Sequence, residues 1–327
     1  MGELLVFIET EKNGILSHSY DLITGAFEIS PDKNVSGVIV LHPKFNLDEN
    51  IKNKLKACGL SRLYIVRSNA PFYDRRLEPY LIAELIKNIN PEIFILTSTA
   101  AGREIAPVVA TILDTGLTAD CTKIEIKKEN DKNKLVSTRP TFGGKLAASI
   151  LCRKNPQMAT VRGGSFKEHK VENTAEFKII EFNFGSLKNF KSEILNFKED
   201  NAEENLNLQN AKIILAGGLG LKNKENFDKL KLLAKKINAV PGASRKAVDR
   251  GFIEKKYQIG QTGSFVTPDI YIAFGISGAI HHITGMENSK KIIAINTDKN
   301  APVFNHADIG LVKDAASVLD ELLKEYD

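Results

Sequence analysis

The chain has 327 residues, of which 43% are hydrophobic, with 45 Lys or Arg, 40 Asp or Glu and a formal net charge of +5. This length predicts two domains of ordinary size, each with its own core. Charges interrupt every apolar run before it reaches membrane-spanning length, and no concentrated basic block occurs, so we expect neither membrane insertion nor a nucleic-acid partner.

The chain begins with MGELLVFIETEKNG, which carries an early Glu3 and no cleavage site. It therefore indicates a first strand and not a secretory signal. The cysteines Cys58, Cys121 and Cys152 are odd in number and widely spaced, which predicts a reducing compartment and not a disulfide framework. A reducing compartment indicates a cytoplasmic protein. Because no CxxC pair occurs, we also expect no metal site.

The first half of the chain alternates short apolar runs with amphipathic stretches. This alternation favours βαβ units and a parallel sheet. The predicted strands are residues 4–8, 38–41, 63–66 and 93–96, and the predicted helices between them are residues 48–57 and 78–89.

Several features follow the fourth run. Ser98 or Thr99 can cap the next helix, or the turn they occupy can bind an anion; the plain cap is the favoured interpretation. Residues 127–134 are strongly charged and indicate a hairpin tip, and residues 146–152 indicate a strand. Cys121 has no nearby histidine in sequence and no acyl-transfer signature, which argues against a nucleophilic role.

A change of composition divides the chain. Residues 185–210 are rich in Asn, Glu and Lys, so we predict a first domain at 1–190, a linker at 191–210 and a second domain at 211–327. The sequence of the second domain predicts a small doubly wound sheet. Its predicted strands are 212–216, 269–276, 291–295 and 307–312, its main helices are 225–237 and 315–326, and residues 241–245 are predicted to form a turn.

The densest pattern lies at residues 257–296. Gly260–Gly263 and Gly275–Gly278 bracket a predicted strand, and the second turn opens a short helix that carries His281 and His282. Glycines let the backbone approach a ligand, and the first N–H groups of a helix favour an anion. Ligands of open α/β sheets bind beyond the strand ends, so we predict a cofactor site here. The turn at 217–220 is not GxGxxG and is a weak nucleotide signal by itself.

The turns of the second domain supply neutral donors and cations, without a nucleophile–base pair. Adjacent helical residues point about 100° apart, so His281 and His282 cannot easily share one metal ion. One histidine acting as a donor to a ligand is the better hypothesis. The set comprises Ser244, Arg245, Gln261, Thr262, Ser277, His282 and Asn296.

These motifs resemble the α subunit of electron transfer flavoproteins, of bacterial type. The second domain contributes PGASRKAVDRG, QIGQTG, YIAFGISGAIHHITGM, KKIIAINTDKNAPVF and ADIG, and the first contributes LTADCT, TRPTFGGK and QMATVR. The resemblance covers nearly the whole chain. It implies an α/β fold with two domains, each a mainly parallel sheet flanked by helices, the C-terminal one a doubly wound FAD-binding domain.

The resemblance implies an electron carrier and not an enzyme. It implies a non-covalent FAD, a partner electron transfer flavoprotein β subunit held by the first domain, and exchange of electrons with an acyl-CoA dehydrogenase-type flavoenzyme. It implies no catalytic residue. The cofactor-binding residues it implies are Ser244, Arg245, Ile259, Gly260, Gln261, Thr262, Ser277, Gly278, Ala279, Ile280, His281, His282, Asn296 and Asp314.

The resemblance also implies roles within this set. Gln261 and Thr262 border the isoalloxazine, His282 is directed at a pyrimidine oxygen of the flavin, and Asn296 and Asp314 lie toward the adenosine. Donors aimed at the flavin stabilise the negative charge it gains on reduction. We expect Arg245 to matter more than the helix dipole, because a full charge in a dry site outweighs a half charge.

The chain departs from the family pattern at four positions. Leu219 stands where Arg is usual, Ser264 where Lys is usual, His281 where Gln is usual, and Gly163 where Pro is common. Losing one charge-assisted hydrogen bond weakens FAD binding by about ten- to a hundredfold. A nearby lysine, Lys222 or Lys224, is a candidate to substitute for the missing arginine.

Three alternatives remain at this point. One is the α subunit of an NADH-dependent, electron-bifurcating complex. Another is a nicotinamide-dependent dehydrogenase, which the lack of GxGxxG and of an acid–base dyad opposes. The last is a flavin-free interaction subunit of the same fold, for which Leu219 is the only indication.

Overall fold

The computed structural model describes residues 2–12, 14–30, 32, 34–71, 73–129, 132–141, 146–172, 176–184, 194–196, 208 and 211–326. The chain forms two compact units, Met1–Phe197 and Lys198–Asp327. The predicted linker at 191–210 lies outside the described residues, except for 194–196 and 208.

The first unit is built on a seven-stranded sheet in which every pairing is parallel. The strands described in this unit are β1 (Leu4–Ile8), β2 (Val35–Leu41), β3 (Leu60–Arg67), β4 (Ile93–Thr97), β5 (Leu117–Cys121), β6 (Lys123–Glu129), β7 (Lys132–Thr141), β8 (Leu146–Leu151), β9 (Gln157–Val161) and β10 (Lys178–Phe182). The order in the large sheet is β10-β3-β2-β1-β4-β9-β5. All four predicted strands of the first half are therefore confirmed.

Helices cover both faces of this sheet. Leu4, Val6 and Ile8 of β1 belong to one apolar core, and Leu5 and Phe7 belong to the other. Burial on both faces explains why the strands are continuous apolar runs in the sequence. The helices are α1 (Ser17–Ile29), α2 (Glu49–Ala57), α3 (Glu78–Ile89) and α4 (Ala100–Ile112).

The N-terminal ends of α4 and α1 differ in whether a capping residue marks the start of the helix. Thr99 caps α4 by accepting a hydrogen bond from the Gly102 N–H at 3.0 Å, so the plain cap is confirmed. The sequence reading missed α1. Its cap residue Leu16 makes no side-chain capping bond, and Gly25, inside the helix, leaves the space that the Phe166 ring occupies. The helix thus depends on tertiary contacts more than on local signals.

The remaining strands of the first unit form a separate antiparallel sheet in the order β6-β7-β8. Glu129 of β6 pairs with Lys132 of β7, so the charged residues 127–134 do form the end of a hairpin, as predicted. Leu146 and Leu151 of β8 are more than half exposed.

The second unit is a five-stranded parallel sheet in the order β12-β11-β13-β14-β15. The chain runs from β11 to β12 on one side and then crosses to β13 on the other. This reversal is the topological switch point of a doubly wound sheet. The elements are β11 (Ile213–Gly217), α5 (Lys224–Lys236), β12 (Val240–Ala243), α6 (Arg245–Asp249), β13 (Ile270–Phe274), α7 (Ile280–Ile283), β14 (Ile292–Asn296), β15 (Ile309–Val312) and α8 (Ala315–Glu325).

One prediction for this unit was wrong. Val240–Ala243 forms strand β12, whereas a turn had been predicted for residues 241–245. Pro241 and Gly242 are poor strand formers, but β12 lies at the edge of the sheet and pairs only with β11. One side of an edge strand forms no ladder hydrogen bonds, so a proline is tolerated there because its missing N–H costs no bond.

Candidate functional site

A cleft of about 350 Å³ lies beyond the carboxyl ends of β11, β12 and β13. This is the switch point of the sheet, where ligands bind in open α/β folds. Ten of the fourteen predicted cofactor residues line it. They are Ser244, Arg245, Ile259, Gly260, Gln261, Thr262, Ser277, Ala279, His281 and His282, and they are joined by Leu219, Lys246, Gly275 and Ile276.

Backbone contacts hold two walls of the cleft together. The Gln261 N–H donates to the carbonyl of His281 at 2.7 Å, and the Ile259 N–H donates to the carbonyl of Ala243 at 2.9 Å. Gly260 has φ +133°, and a Cβ there would lie 2.6 Å from the His281 oxygen. Only glycine permits this approach, so the QIGQTG segment is fixed against α7.

The glycine-rich turn after β11 has a packing role. A Cβ added to Gly220 would lie 2.6 Å from Cα of Gly275, and the Gly220 N–H donates to the Gly275 carbonyl at 3.0 Å. The turn therefore packs backbone to backbone against the end of β13. This contact leaves Leu219, which is 41% exposed, on the wall of the cleft.

His282 is buried and both of its ring nitrogens are paired within the protein. Nε2 lies 2.8 Å from Oη of Tyr271, and Nδ1 lies 3.1 Å from the carbonyl of Ile259. A carbonyl only accepts, so Nδ1 carries the proton and Nε2 accepts from the tyrosine. Burial lowers the pKa of His282 to about 4, despite the opposing bond to Ile259. The ring is therefore neutral at physiological pH.

The two adjacent histidines face different surroundings, as predicted. His282 is 7% exposed, whereas His281 is exposed and its Nδ1 lies 2.5 Å from Oε1 of Gln261. His282 was predicted to point at a flavin oxygen. Its nitrogens already have partners, so a bond from its ring to a ligand would have to replace or share the bond to Tyr271.

The positive charge of Arg245 lies at the open side of the cleft. Its side chain is 66% exposed, and its Nε lies 3.5 Å from the Asp249 carboxylate. An exposed charge is screened by water, and the expected contact of Arg245 with the cofactor in a dry site stays a prediction. Lys246, which the sequence analysis did not select, adds a second cation. Lys246 could have been predicted from the sequence, because it directly follows Arg245 in the PGASRK segment.

Four predicted cofactor residues do not line the cleft. Gly278 packs against the backbone of Val303, and Ile280 is 39% exposed. Asn296 donates from Nδ2 to the carbonyl of Ile276 at 2.9 Å, and so supports a wall residue. Asp314 caps α8 by accepting from the N–H groups of residues 316 and 317. For these four, a cofactor contact stays a prediction.

The candidates to replace the missing arginine also lie outside the cleft lining. Lys222 pairs through Nζ with the Asp314 carboxylate at 2.5 Å. That ion pair holds the pKa of Asp314 below its usual value. Lys224 begins α5. Leu219 thus faces the cleft without a substitute cation from either lysine.

Other reactive groups are poorly placed for chemistry. Cys121 is fully buried, and burial raises the pKa of its thiol to about 11, which opposes a nucleophilic role. Within the described residues, no group of three or more His, Cys, Asp or Glu side chains could hold a metal ion. In the same part of the chain, no helix is long and apolar enough to span a bilayer.

The chemistry of the cleft fits a flavin. Apolar side chains of Leu219, Ile259 and Ile276 line part of the wall, and Gln261 and Ser277 add hydrogen-bonding groups. Sites for small organic ligands combine such an apolar surface with a few polar groups that fix orientation. The fold and cleft therefore define an α/β protein with a cleft suited to an organic cofactor at its switch point.

Comparison with known proteins gives the family. The electron transfer flavoprotein domain matches residues 4–186, and the electron transfer flavoprotein FAD-binding domain matches residues 207–287. The electron transfer flavoprotein subunit alpha of Thermoanaerobacterium thermosaccharolyticum is 38% identical over 99% of this chain and 97% of its own. Protein FixB of Azorhizobium caulinodans is 37% identical over 98% of this chain and 87% of its own. A second subunit alpha, from Clostridium acetobutylicum, is 41% identical over 75% of this chain and 73% of its own.

The chain therefore belongs to the electron transfer flavoprotein family, as an α subunit. It is an electron carrier whose cofactor is FAD, and its partner is an electron transfer flavoprotein β subunit. The flavin-free hypothesis is not supported, since the FAD-binding family model spans the walls of the cleft.

Proposed function

We propose that the cleft at the switch point holds the FAD, and that the heterodimer carries electrons between an acyl-CoA dehydrogenase-type flavoenzyme and another redox protein. One observation carries the assignment of the site. Ten residues chosen from separate motifs converge on one cleft, at the edge of the sheet where ligands of such folds bind. The choice of donor follows the family resemblance.

The residues of the cleft have distinct roles in this proposal. Bound FAD supplies the one-electron and two-electron chemistry. Gln261 and Thr262 would border the flavin ring, and Ser277 would add a hydrogen-bonding group to the wall. Thr262 is itself fixed, because its Oγ1 accepts from Nε2 of Gln258 at 2.9 Å. Arg245 and Lys246 favour the more negative, reduced form, with an effect reduced by solvent screening.

His282 acts in the proposal as a neutral, fixed wall. Tyr271 and the Ile259 carbonyl set its orientation and tautomer. Because its ring stays uncharged, it does not add a cation to the site at physiological pH. The redox potential is then set by the two cations and the neutral donors.

The donor is tested with the FAD-loaded heterodimer. We expect an acyl-CoA dehydrogenase-type flavoenzyme, reduced by its acyl-CoA substrate, to bleach the flavin absorbance of the heterodimer in a stopped-flow experiment. NADH is the matched control. Reduction by NADH and not by the flavoenzyme would contradict the proposed donor and favour the electron-bifurcating alternative.

We also propose a cytoplasmic location. Cys58, Cys121 and Cys152 are all free thiols, and Cys152 is partly exposed. An exposed free thiol is typical of a reducing compartment. Fractionation of cells that produce the protein, followed by immunoblotting, tests this; recovery outside the cytoplasmic fraction would contradict it.

A further inference from the structure

The first unit contains a second cleft, of about 420 Å³. It is lined by Lys12, His42, Lys44, Phe45, Asn69 and Tyr73, together with two prolines. The lining residues of the FAD cleft all belong to the second unit, so the two clefts do not share a residue. We call this second site the basic cleft.

The basic cleft lies where a parallel sheet holds its ligands. Lys12 follows β1, His42 directly follows β2, and Asn69 follows β3, and these three strands are neighbours in the sheet. The carboxyl ends of adjacent parallel strands open to the same edge. Residues distant in sequence therefore meet there because of the topology.

A buried, oriented histidine forms part of the wall. His42 is only 5% exposed, and its Nδ1 lies 3.1 Å from the carbonyl of Ala70, which fixes the ring. Its Nε2 makes no hydrogen bond within the described residues. The nearest carboxylate oxygen, of Glu78, is 3.2 Å away, at an angle that does not satisfy a hydrogen bond. Nε2 thus faces the buried Glu78 carboxylate, and His42 contributes an oriented ring to the wall of the cleft.

The charge of the lining selects an anion. Among the described residues that line the basic cleft, two are lysines and none is a carboxylate. The nearby acids lie behind the wall and have their own cations: Glu78 faces His42 at 3.2 Å and Arg75 at 3.8 Å, and Glu9 faces Arg75 at 3.6 Å. Lysines bind phosphate as point charges.

The rest of the lining suits a flat ring. Phe45 is half-buried and Tyr73 is 39% exposed, so both rings present apolar surface. Base-on-aromatic stacking contributes to nucleotide binding without reading the base. The volume lies within the range of small-molecule sites. We infer that the basic cleft binds a small organic phosphate that carries a planar ring, of the size of a nucleoside monophosphate.

The test uses the FAD-loaded heterodimer and AMP as the probe. Isothermal titration compares the wild type with variants of this chain assembled with the same β subunit, so that any site on the partner contributes equally. We expect Lys44→Ala to weaken AMP binding at this site roughly tenfold. Lys87→Ala is the matched control, since Lys87 lies half-exposed on α3 and outside the cleft. Flavin content should be the same in all three proteins.

Two further measurements distinguish the ligand classes. Phe45→Leu should weaken AMP binding and leave inorganic phosphate binding unchanged, because only the ring contact is lost. Photo-labelling with azido-AMP should mark peptides that contain residues 42–45 or 69–73. Equal affinity for phosphate and AMP would overturn the assignment of a ring. Absence of AMP binding, or label confined to the β subunit or the FAD cleft, would overturn the site.

Discussion

Acid should destabilise the second unit through His282. The folded pKa of this histidine is about 4, below its usual 6.5, because the ring is buried. Between these values the unfolded chain binds a proton that the folded chain does not, so stability falls as the pH decreases through this window. His282 is 7% exposed, so little screening reduces the effect.

The magnitude follows from the two pKa values. At pH 5 the unfolded histidine is almost fully protonated and the folded one almost fully neutral, so lowering the pH from 7 to 5 should cost about 2 kcal/mol through this residue. The assay is urea unfolding of the flavin-depleted heterodimer at both pH values, followed by circular dichroism.

Two variants isolate this effect. His282→Asn removes the titrating group, so its loss of stability between pH 7 and pH 5 should be about 2 kcal/mol smaller than that of the wild type. His281→Asn is the matched control, because His281 is exposed on the same turn, and should behave as the wild type does. Equal losses in the wild type and in His282→Asn would refute the inference that the histidine is buried and neutral.

Three further outcomes are expected. Leu219→Arg should tighten FAD binding by about ten- to a hundredfold, measured by quenching of flavin fluorescence; an unchanged Kd would show that the missing arginine is compensated. Arg245→Ala should lower the flavin midpoint potential by tens of millivolts, since about 59 mV is tenfold for one electron, and an unchanged redox titration would remove its role. Tyr271→Phe should destabilise the heterodimer by about 1–3 kcal/mol in urea, because Nε2 of His282 loses its donor; no loss would mean that this bond contributes nothing.

The sheets could be predicted because their strands are buried on both faces. Leu4–Ile8 and Ile93–Thr97 stand out as apolar runs with polar flanks, and both are central strands. Edge strand β12 could not be predicted in this way, since an edge tolerates Pro241 and Gly242. Helix α1 was missed because its stability comes from packing and not from a cap.

The cleft could be predicted from motifs, but its internal contacts could not. The glycine turns predicted which segments form the walls of the cleft. Glycine is required at Gly260 and Gly275 because another backbone segment packs directly against each of them. The partner of His282 lies eleven residues earlier, on β13, and no local pattern signals that Tyr271 reaches the ring. The exposure of Arg245 is likewise a property of the folded surface.

The most direct test of the account asks whether FAD occupies this cleft. The flavin released from the purified heterodimer is counted by its visible absorption in the wild type, Ala279→Trp and Leu232→Trp. Both side chains are exposed, but Ala279 lines the cleft, whereas Leu232 lies on α5 outside it and outside the predicted cofactor residues. We predict that Ala279→Trp loses one FAD per heterodimer while Leu232→Trp keeps it. Equal flavin content in all three proteins would contradict the assignment of the site.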